Sequence, residues 1–395
     1  MRMTWKNISC VIRRLEFVKL VLQAQRRMTE LCRDFGFSRR VGYKWVRRFE
    51  LEGRRGLEDR SRRPRHSPRQ VARKWLTRIR RVHRKHWSWG SRKVVAALRR
   101  QYPSECTPSV RTISRTFKRL GLNRRMRRRT RLGPQLKRRA LTQAQRCNQV
   151  WTVDFKGWFR TQDGQRVEPL TVRDLFSRYL LSIRLFRDQS WQPVRREFLR
   201  LFTRFGYPEV IRTDNGGPFG SSGPGGLSRL SAWWTALGIR VEFIAPGHPE
   251  QNGGHEQIHR VLKAEITRPT SCHLRGQKRR TARWRKTYNQ VRPHEALGQR
   301  TPAEIYRSAP TARRQPRFRY PAGWIIRRVR SNGQIKWKGK KRFIGEAFVG
   351  YPVALKPPRG GKSLVYFTNV LIGEIWQTDQ GGMRPARQRR RQARR

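Results

Sequence analysis

Val150-Trp-Thr-Val-Asp154-Phe155 alternates as an extended segment does. Trp151, Val153 and Phe155 fall on one face, Thr152 and Asp154 on the other. An Asp inside an apolar strand is costly unless paired or coordinated. The stretch therefore reads either as a buried strand carrying a functional carboxylate or as an edge strand with a surface Asp. Working outward, strand patterns occupy 168–172, 179–185, 209–213 and 241–245. Helical patterns occupy 191–205, 227–237, about 254–266 and 279–289. Three strands followed by alternating helix and strand predict an α/β layer fold over 149–308.

Acidic residues are scarce in this chain, so their placement is informative. Asp214 ends the strand pattern Val210-Ile-Arg-Thr and opens Asn215-Gly-Gly217. Asp-Asn-Gly is also an ordinary turn signal, but strand ends are where open α/β sheets place their sites. Glu256 lies in Pro246-Gly-His-Pro249-Glu-Gln-Asn-Gly253-Gly-His-Glu256. It reads either as a first-turn Glu complementing the helix dipole or as a third site carboxylate. Glu256, Arg260 and Lys263 share one helical stripe, at i, i+4 and i+7. Three carboxylates suit phosphoryl transfer with two divalent ions about 4 Å apart, Mg²⁺ or Mn²⁺. His248, His255 and His259 surround Glu256 and would serve as polar site groups or, less in keeping with the carboxylates, as a zinc site. Trp233-Trp234 reads as core, and Asp174 with Arg178 either as part of the core motif described below or as a structural ion pair.

The whole 395-residue chain carries 94 Lys plus Arg against 25 Asp plus Glu, a formal charge of +69. Such a chain repels itself unless a polyanion neutralises it, and Lys/Arg contacts to phosphate give salt-sensitive nucleic-acid binding. Five dispersed cysteines form no C-x-x-C pair, which predicts neither a zinc ribbon nor a disulfide framework and suits reduced thiols in the cytoplasm. No apolar run is long enough for a membrane span, no secretory leader is visible at 1–14, and no phosphate-binding Gly-x-x-x-x-Gly-Lys-Ser/Thr loop predicts NTP use.

Residues 1–60 read as a helix-turn-helix domain: Thr29 caps a short helix, Gly36 ends it, and Ser38 caps the next. Val41, Trp45 and Phe49 would face the core, while Arg39, Arg40, Tyr43, Lys44 and Arg47 would face a DNA groove. A second helix-turn-helix, with or without a wing, is predicted over 70–122 after a Pro/Ser/Arg linker. A basic linker follows over 123–148, with Arg124, Arg125 and Arg127–Arg129. Short strands over 320–377 predict a small β-barrel-like domain, and 378–395 is a basic tail.

Trp151-Thr-Val-Asp154, Thr213-Asp-Asn-Gly216 and Pro246-x-x-Pro249-x-x-x-Gly253-x-x-Glu256, in this order, resemble the retroviral-integrase-like core of DDE transposases. Tyr288-Asn289-x-x-Arg292-Pro293-His294-x-x-Leu297 resembles the segment after that core in bacterial insertion-sequence transposases. With the flanking domains, the resemblance is to insertion-sequence family 481. It implies an RNase-H-like fold, Asp154, Asp214 and Glu256 as a metal-binding catalytic triad, and Arg260 and Lys263 as DNA contacts. It also implies recognition of terminal inverted repeats, release of 3′-OH ends, their joining to a target duplex, and a homo-oligomer on DNA. Some relatives have 35 residues between second and third acids. Here 35 separate Asp214 from Glu250, whereas 41 separate it from Glu256, an excess assigned to the Gly/Ser/Pro-rich loop 220–228. A decayed transposase that only binds DNA, or an RNA-binding basic protein, would explain the charge but not the acids.

Overall fold

A computed structural model describes residues 10–61, 71–123, 141–245, 248–379 and 381–386; the side chains of Pro249 and Glu250 lie outside the described set. The basic stretch Arg124, Arg125 and Arg127–Arg129 and the last residues of the tail also lie outside it. The chain divides into two units, Met1–Gln70 and Val71–Arg395.

The first unit contains helices α1 (Cys10–Leu22), α2 (Met28–Phe35) and α3 (Arg39–Glu52). Gly36 ends α2 in the left-handed conformation, with φ 66°, and the Ser38 hydroxyl accepts from Val41 N at the start of α3. Thr29 does not cap α2. The helix starts one residue earlier, after Arg27, which makes no side-chain cap. Phe17, Leu31, Phe35 and Trp45 form the core. Gly42 of α3 lets the helices approach: a Cβ there would lie 2.7 Å from Cys32 Sγ and 2.9 Å from Phe17 Cζ.

The second unit begins with α4 (Arg73–Lys85), α5 (Ser91–Gln101) and α6 (Val110–Arg119), packed around Trp75, Ile79, Val94, Leu98, Ile113 and Phe117. Among the described residues of 71–123 there is no strand, so the wing considered for this segment is not found there.

The central sheet is built from β1 (Val150–Phe155), β2 (Phe159–Arg160), β3 (Arg166–Asp174), β4 (Leu180–Phe186), β5 (Val210–Thr213) and β6 (Arg240–Phe243). Its spatial order is β4-β3-β1-β5-β6, with β2 added on β3. β1, β3 and β4 are antiparallel neighbours, whereas β5 and β6 run parallel to β1. This is the RNase-H-like arrangement. The connections carry α7 (Trp191–Phe205) between β4 and β5, and α8 (Arg229–Ala236) between β5 and β6. α9 (Gly253–Glu265), α10 (Leu274–Gln290) and α11 (Pro302–Ile305) follow the last strand. Alternation along β1 sends Trp151 and Val153 into a core with Phe198, Phe202, Leu230 and Trp234 from α7 and α8. The opposite face meets α9 and α10, where Leu180 packs with Ile258, Leu262, Trp284 and Tyr288.

After the core come β7 (Ile325–Arg328), β8 (Gln334–Trp337), β9 (Lys340–Phe343), β10 (Pro352–Leu355), β11 (Lys362–Phe367), β12 (Val370–Trp376) and β13 (Arg384–Pro385). They form a five-stranded antiparallel sheet, β13-β12-β11-β10-β7, and the hairpin β8-β9. The start of the tail is therefore not free: Arg384–Pro385 adds a strand to β12, and Arg384 Nε donates to Asp379 Oδ2 at 2.7 Å. The core of this sheet includes Leu227, Ala232 and Ala236 from the α8 region. Gly225, in the loop 220–228, faces Ile372 of β12, so the extra residues before Glu256 dock the C-terminal sheet.

Gly42→Val is expected to destabilise the α1–α3 unit by about 1–3 kcal/mol through overpacking. Hydrogen exchange should show lost amide protection across α1–α3 and unchanged protection in β1–β6. Equal protection in both variants would show that the close helix approach does not hold this unit together.

Candidate active site

The register of the sheet brings the first two acids together. Val150 pairs with Val210 and Thr152 with Arg212 in parallel. Continued two residues, that register sets Asp154 beside Asp214 on neighbouring strands, which lie about 4.8 Å apart. The two acids flank the same strand ends because β1 and β5 are adjacent although the chain between them forms β3, β4 and α7. Glu256 enters from the first turn of α9, which lies on the Thr152/Asp154 face of β1.

Electrostatics link the three acids. Burial pushes the Asp154 carboxyl up to about 7, and the charges of Asp214 and then Glu256 add to that rise. The Asp214 carboxyl is also raised, by burial, against hydrogen bonds from Gly216 and Thr213 that favour its ionised form. Gly216 packs on this group: a Cβ there would lie 3.2 Å from Asp214 Oδ2. Converging carboxylates in a low dielectric are stable as anions only with a cation among them. All three supply hard oxygen donors, so the donor set fits a divalent cation. The side chain of Glu250 lies outside the described residues.

Two threonines and two histidines bind α9 to the sheet. His255 is fully buried; its Nε2 lies 2.7 Å from Thr152 Oγ1 and its Nδ1 2.9 Å from Thr171 Oγ1. Thr171, opposite Asp154 in the β1–β3 ladder, also contacts His259 Nε2 at 2.8 Å and donates to the Asp154 carbonyl at 3.1 Å. His259 Nδ1 then lies 3.6 Å from Asp154 Oδ2. Donor atoms of Asp154, His255 and His259 all fall within 4.8 Å of one another, so two of the three histidines gather on Asp154. Burial lowers both imidazoles, His259 to about 4.

Beneath the first turn of α9 lies Arg173, 3% exposed and hydrogen-bonded to Tyr288. A Cβ on Gly254 would come within 2.1 Å of its guanidinium, so the helix can settle beside this cation only with glycine at 254. The far end of α9 is held through Glu265, which accepts from Ser88, Trp284 and, at 3.3 Å, Arg292.

Arg260 and Lys263 are exposed on α9, in the stripe that starts at Glu256. The charges of Lys263 and Arg268, after burial, depress the Lys156 ammonium, so these cations gather two residues beyond Asp154. Lys156, Arg268, Thr171 and Arg173 were not singled out by sequence. Only the strand register, which sets Thr171 across from Asp154 and Arg173 across from Thr152, could have signalled the last two. Asp174 is not in an ion pair with Arg178 as read from sequence. Its carboxylate accepts from Ser177 N and Oγ and from Asn148 N, closing the turn after β3. Away from this site, Arg39, Arg40, Tyr43, Lys44 and Arg47 are all exposed on α3, while Gly42 and Trp45 turn inward.

Comparison with known proteins matches integrase core domains to residues 144–249 and 237–302, and a helix-turn-helix domain to 13–65. A homeodomain-like domain matches 41–117, and the C-terminal domain of IS481 family transposases matches 325–381. The chain is 33% identical over 197 residues to an insertion element IS407 uncharacterized 31.7 kDa protein of Burkholderia multivorans, covering 49% of this chain and 67% of that protein. It is 30% identical over 221 residues to an insertion element IS476 uncharacterized 39.2 kDa protein of Xanthomonas euvesicatoria, covering 56% of this chain and 61% of that protein. Among solved structures, the HTLV-2 integrase catalytic core domain in complex with magnesium is 18% identical with a TM-score of 0.33, covering 42% of this chain and all 100% of that one. Among the described residues no helix is long and apolar enough to cross a membrane.

Gly254→Ala is expected to destabilise the chain by about 1–3 kcal/mol, measured by thermal or denaturant unfolding. In an Arg173→Ala background the same substitution should become neutral or stabilising, because alanine is the better helix former by about 0.8–1 kcal/mol. Equal destabilisation in both backgrounds would remove Arg173 as the reason for the glycine.

Proposed function

We propose, from the premise that this chain belongs to the integrase-core transposases of insertion elements of the IS481 type, that it binds the terminal inverted repeats of such an element and cuts and joins them. Hydrolysis breaks a bond between phosphorus and a 3′ oxygen at the element end, and the oxygen leaves as a 3′-OH. That hydroxyl then attacks a target phosphorus and expels the target's own 3′ oxygen. The observation that most supports this reading is that the Asp154 carboxyl carries the charges of both Asp214 and Glu256.

Asp154, Asp214 and Glu256 would hold two divalent cations, Mg²⁺ or Mn²⁺. Bound there, such ions stabilise charge on attacking and leaving oxygens. The protein's own share is to fix the carboxylates. Asp154 and Asp214 stand on adjacent rigid strands, and Glu256 stands on a helix pinned to that sheet by His255. Lys156, Arg260 and Lys263 would draw the phosphodiester backbone along the α9 stripe. Exposed α3, with Arg39, Arg40, Tyr43, Lys44 and Arg47, would lie in a major groove of the terminal repeat. Two element ends must meet one target duplex, so a homo-oligomer on DNA, in the bacterial cytoplasm, is the working form.

Asp154→Asn, Asp214→Asn and Glu256→Gln are each expected to reduce cleavage and joining of repeat-ended DNA by at least about 1,000-fold while leaving end binding in gel shift intact. Full strand transfer by Glu256→Gln, with loss in Glu250→Gln, would move the third acid to Glu250. End binding by the unaltered chain without any Mg²⁺- or Mn²⁺-dependent nicking would refute the enzyme.

Because the folded Asp154 carboxyl titrates near 7, a cation must displace its proton below that pH. Mn²⁺ affinity, measured by calorimetry, should rise up to about tenfold per pH unit from pH 5.5 to about 7 and level off above it. In Asp154→Asn that slope should flatten. A pH-independent affinity in the unaltered chain would contradict Asp154 as a ligand.

A further inference from the structure

We propose that His259 is itself a metal ligand, its Nδ1 and an Asp154 carboxylate oxygen binding one cation, which gives the centre a nitrogen donor and a bias toward Mn²⁺ over Mg²⁺. This rests on reading Asp154, Asp214 and Glu256 as a metal centre, and adds to that reading a residue outside the carboxylate triad.

Proton bookkeeping around Thr171 leads to it. The Thr171 hydroxyl has one proton and three neighbours: the Asp154 carbonyl at 3.1 Å, His255 Nδ1 at 2.9 Å and His259 Nε2 at 2.8 Å. A carbonyl can only accept, so the hydroxyl proton goes there, and both imidazoles must donate to Thr171 Oγ1. His255 is then protonated on Nδ1, and its Nε2 accepts from the Thr152 hydroxyl at 2.7 Å, a far shorter contact than that hydroxyl's alternative acceptor, the Arg173 carbonyl at 3.5 Å. Every polar atom of His255 is thus used inside the protein, which removes it from the possible ligands although it lies within the same cluster.

His259 has the opposite outcome. Its proton is fixed on Nε2, so a neutral ring presents a bare lone pair at Nδ1. That lone pair faces Asp154 Oδ2 at 3.6 Å. At this separation the two atoms make no direct hydrogen bond. Once Asp154 is ionised, two acceptors face each other there and repel, and a cation between them removes the repulsion. The gap is one that two metal–ligand bonds of about 2.1 Å can span.

Helix α9 presents the group in the right phase. Glu256-Gln-Ile-His259 sets a carboxylate and an imidazole one turn apart on one helix, the Glu-x-x-His spacing with which helical di-metal carboxylate sites hold their ions. Thr171 acts as the outer partner that fixes the tautomer, as partners of metal-bound histidines do. Carboxylates alone suit Mg²⁺ as well as Mn²⁺, whereas an imidazole is a poorer ligand for Mg²⁺.

Pulsed EPR of the full chain with Mn²⁺ alone, without DNA, tests this. Expected is nitrogen hyperfine modulation from one directly bound imidazole, lost in His259→Asn. The Mn²⁺ dissociation constant of that variant should rise about tenfold or more, with a much smaller change for Mg²⁺ measured by competition. Bound Mn²⁺ without nitrogen coupling in the unaltered chain overturns His259 as a ligand and leaves the carboxylate centre standing. Coupling that survives in His259→Asn overturns the assignment to this residue, and equal losses for Mn²⁺ and Mg²⁺ overturn the bias. Failure of the unaltered chain to bind Mn²⁺ overturns the triad reading along with it.

Discussion

A single buried imidazole holds the site in register. His255 spans from α9 to two strands, meeting Thr152 on β1 and Thr171 on β3. Hydrophobic packing of Ile258 and Leu262 fixes how closely α9 lies on the sheet, but it is non-directional and tolerates small rotations. The histidine does not: its hydrogen bonds to the two hydroxyls, at 2.7 and 2.9 Å, are directional and weaken as the ring turns. Glu256 follows His255 immediately, so the rotation allowed to His255 is the rotation allowed to the acid. Arg173 under Gly254 and Glu265 at the far end fix the same helix at its two termini.

Much of this was legible in the sequence, and for identifiable reasons. Period-two alternation around Asp154 and period-3.6 patterns in α7 and α9 are local properties, and the structure has those elements within a few residues of where the patterns fall. The exposed set on α3 was readable because the apolar residues that must turn inward leave Arg39, Arg40, Tyr43, Lys44 and Arg47 for the outer side. Thr171 and Arg173 were not readable. Nothing in Leu170-Thr-Val-Arg173 distinguishes them from other strand residues; their roles come from pairing with β1, a non-local fact. The Asp174–Arg178 reading failed for a related reason: opposite charges near in sequence suggest a pair, but a buried turn offers the carboxylate three closer donors. Thr29 failed as a cap because the helix began one residue early.

The acids also explain how so basic a chain folds. Glu242 holds Arg212 and Glu265 receives Arg292, each tying a cation that would otherwise be stranded in or near the core, while exposed Arg200 pairs with the buried Glu197. Most of the remaining excess is left at surfaces, where a phosphate backbone can neutralise it. In contrast, Asp154 and Asp214 lie close to one another with no Lys or Arg partner among the ion pairs of the described residues, an arrangement that fits the proposed role of receiving a cation.

Helix α8 has an uncommon position: every residue from Leu230 to Ala236 is buried. Trp233 and Trp234 serve the catalytic core, while Ala232 and Ala236 serve the C-terminal sheet. One helix thereby acts as a shared wall, and the two bodies cannot slide past each other without opening both interiors. A load placed on the C-terminal sheet is then carried through α8 and the loop before it to the end of β5, where Asp214 stands. The sheet is thus built onto the central α/β body through a shared interior rather than hung beside it.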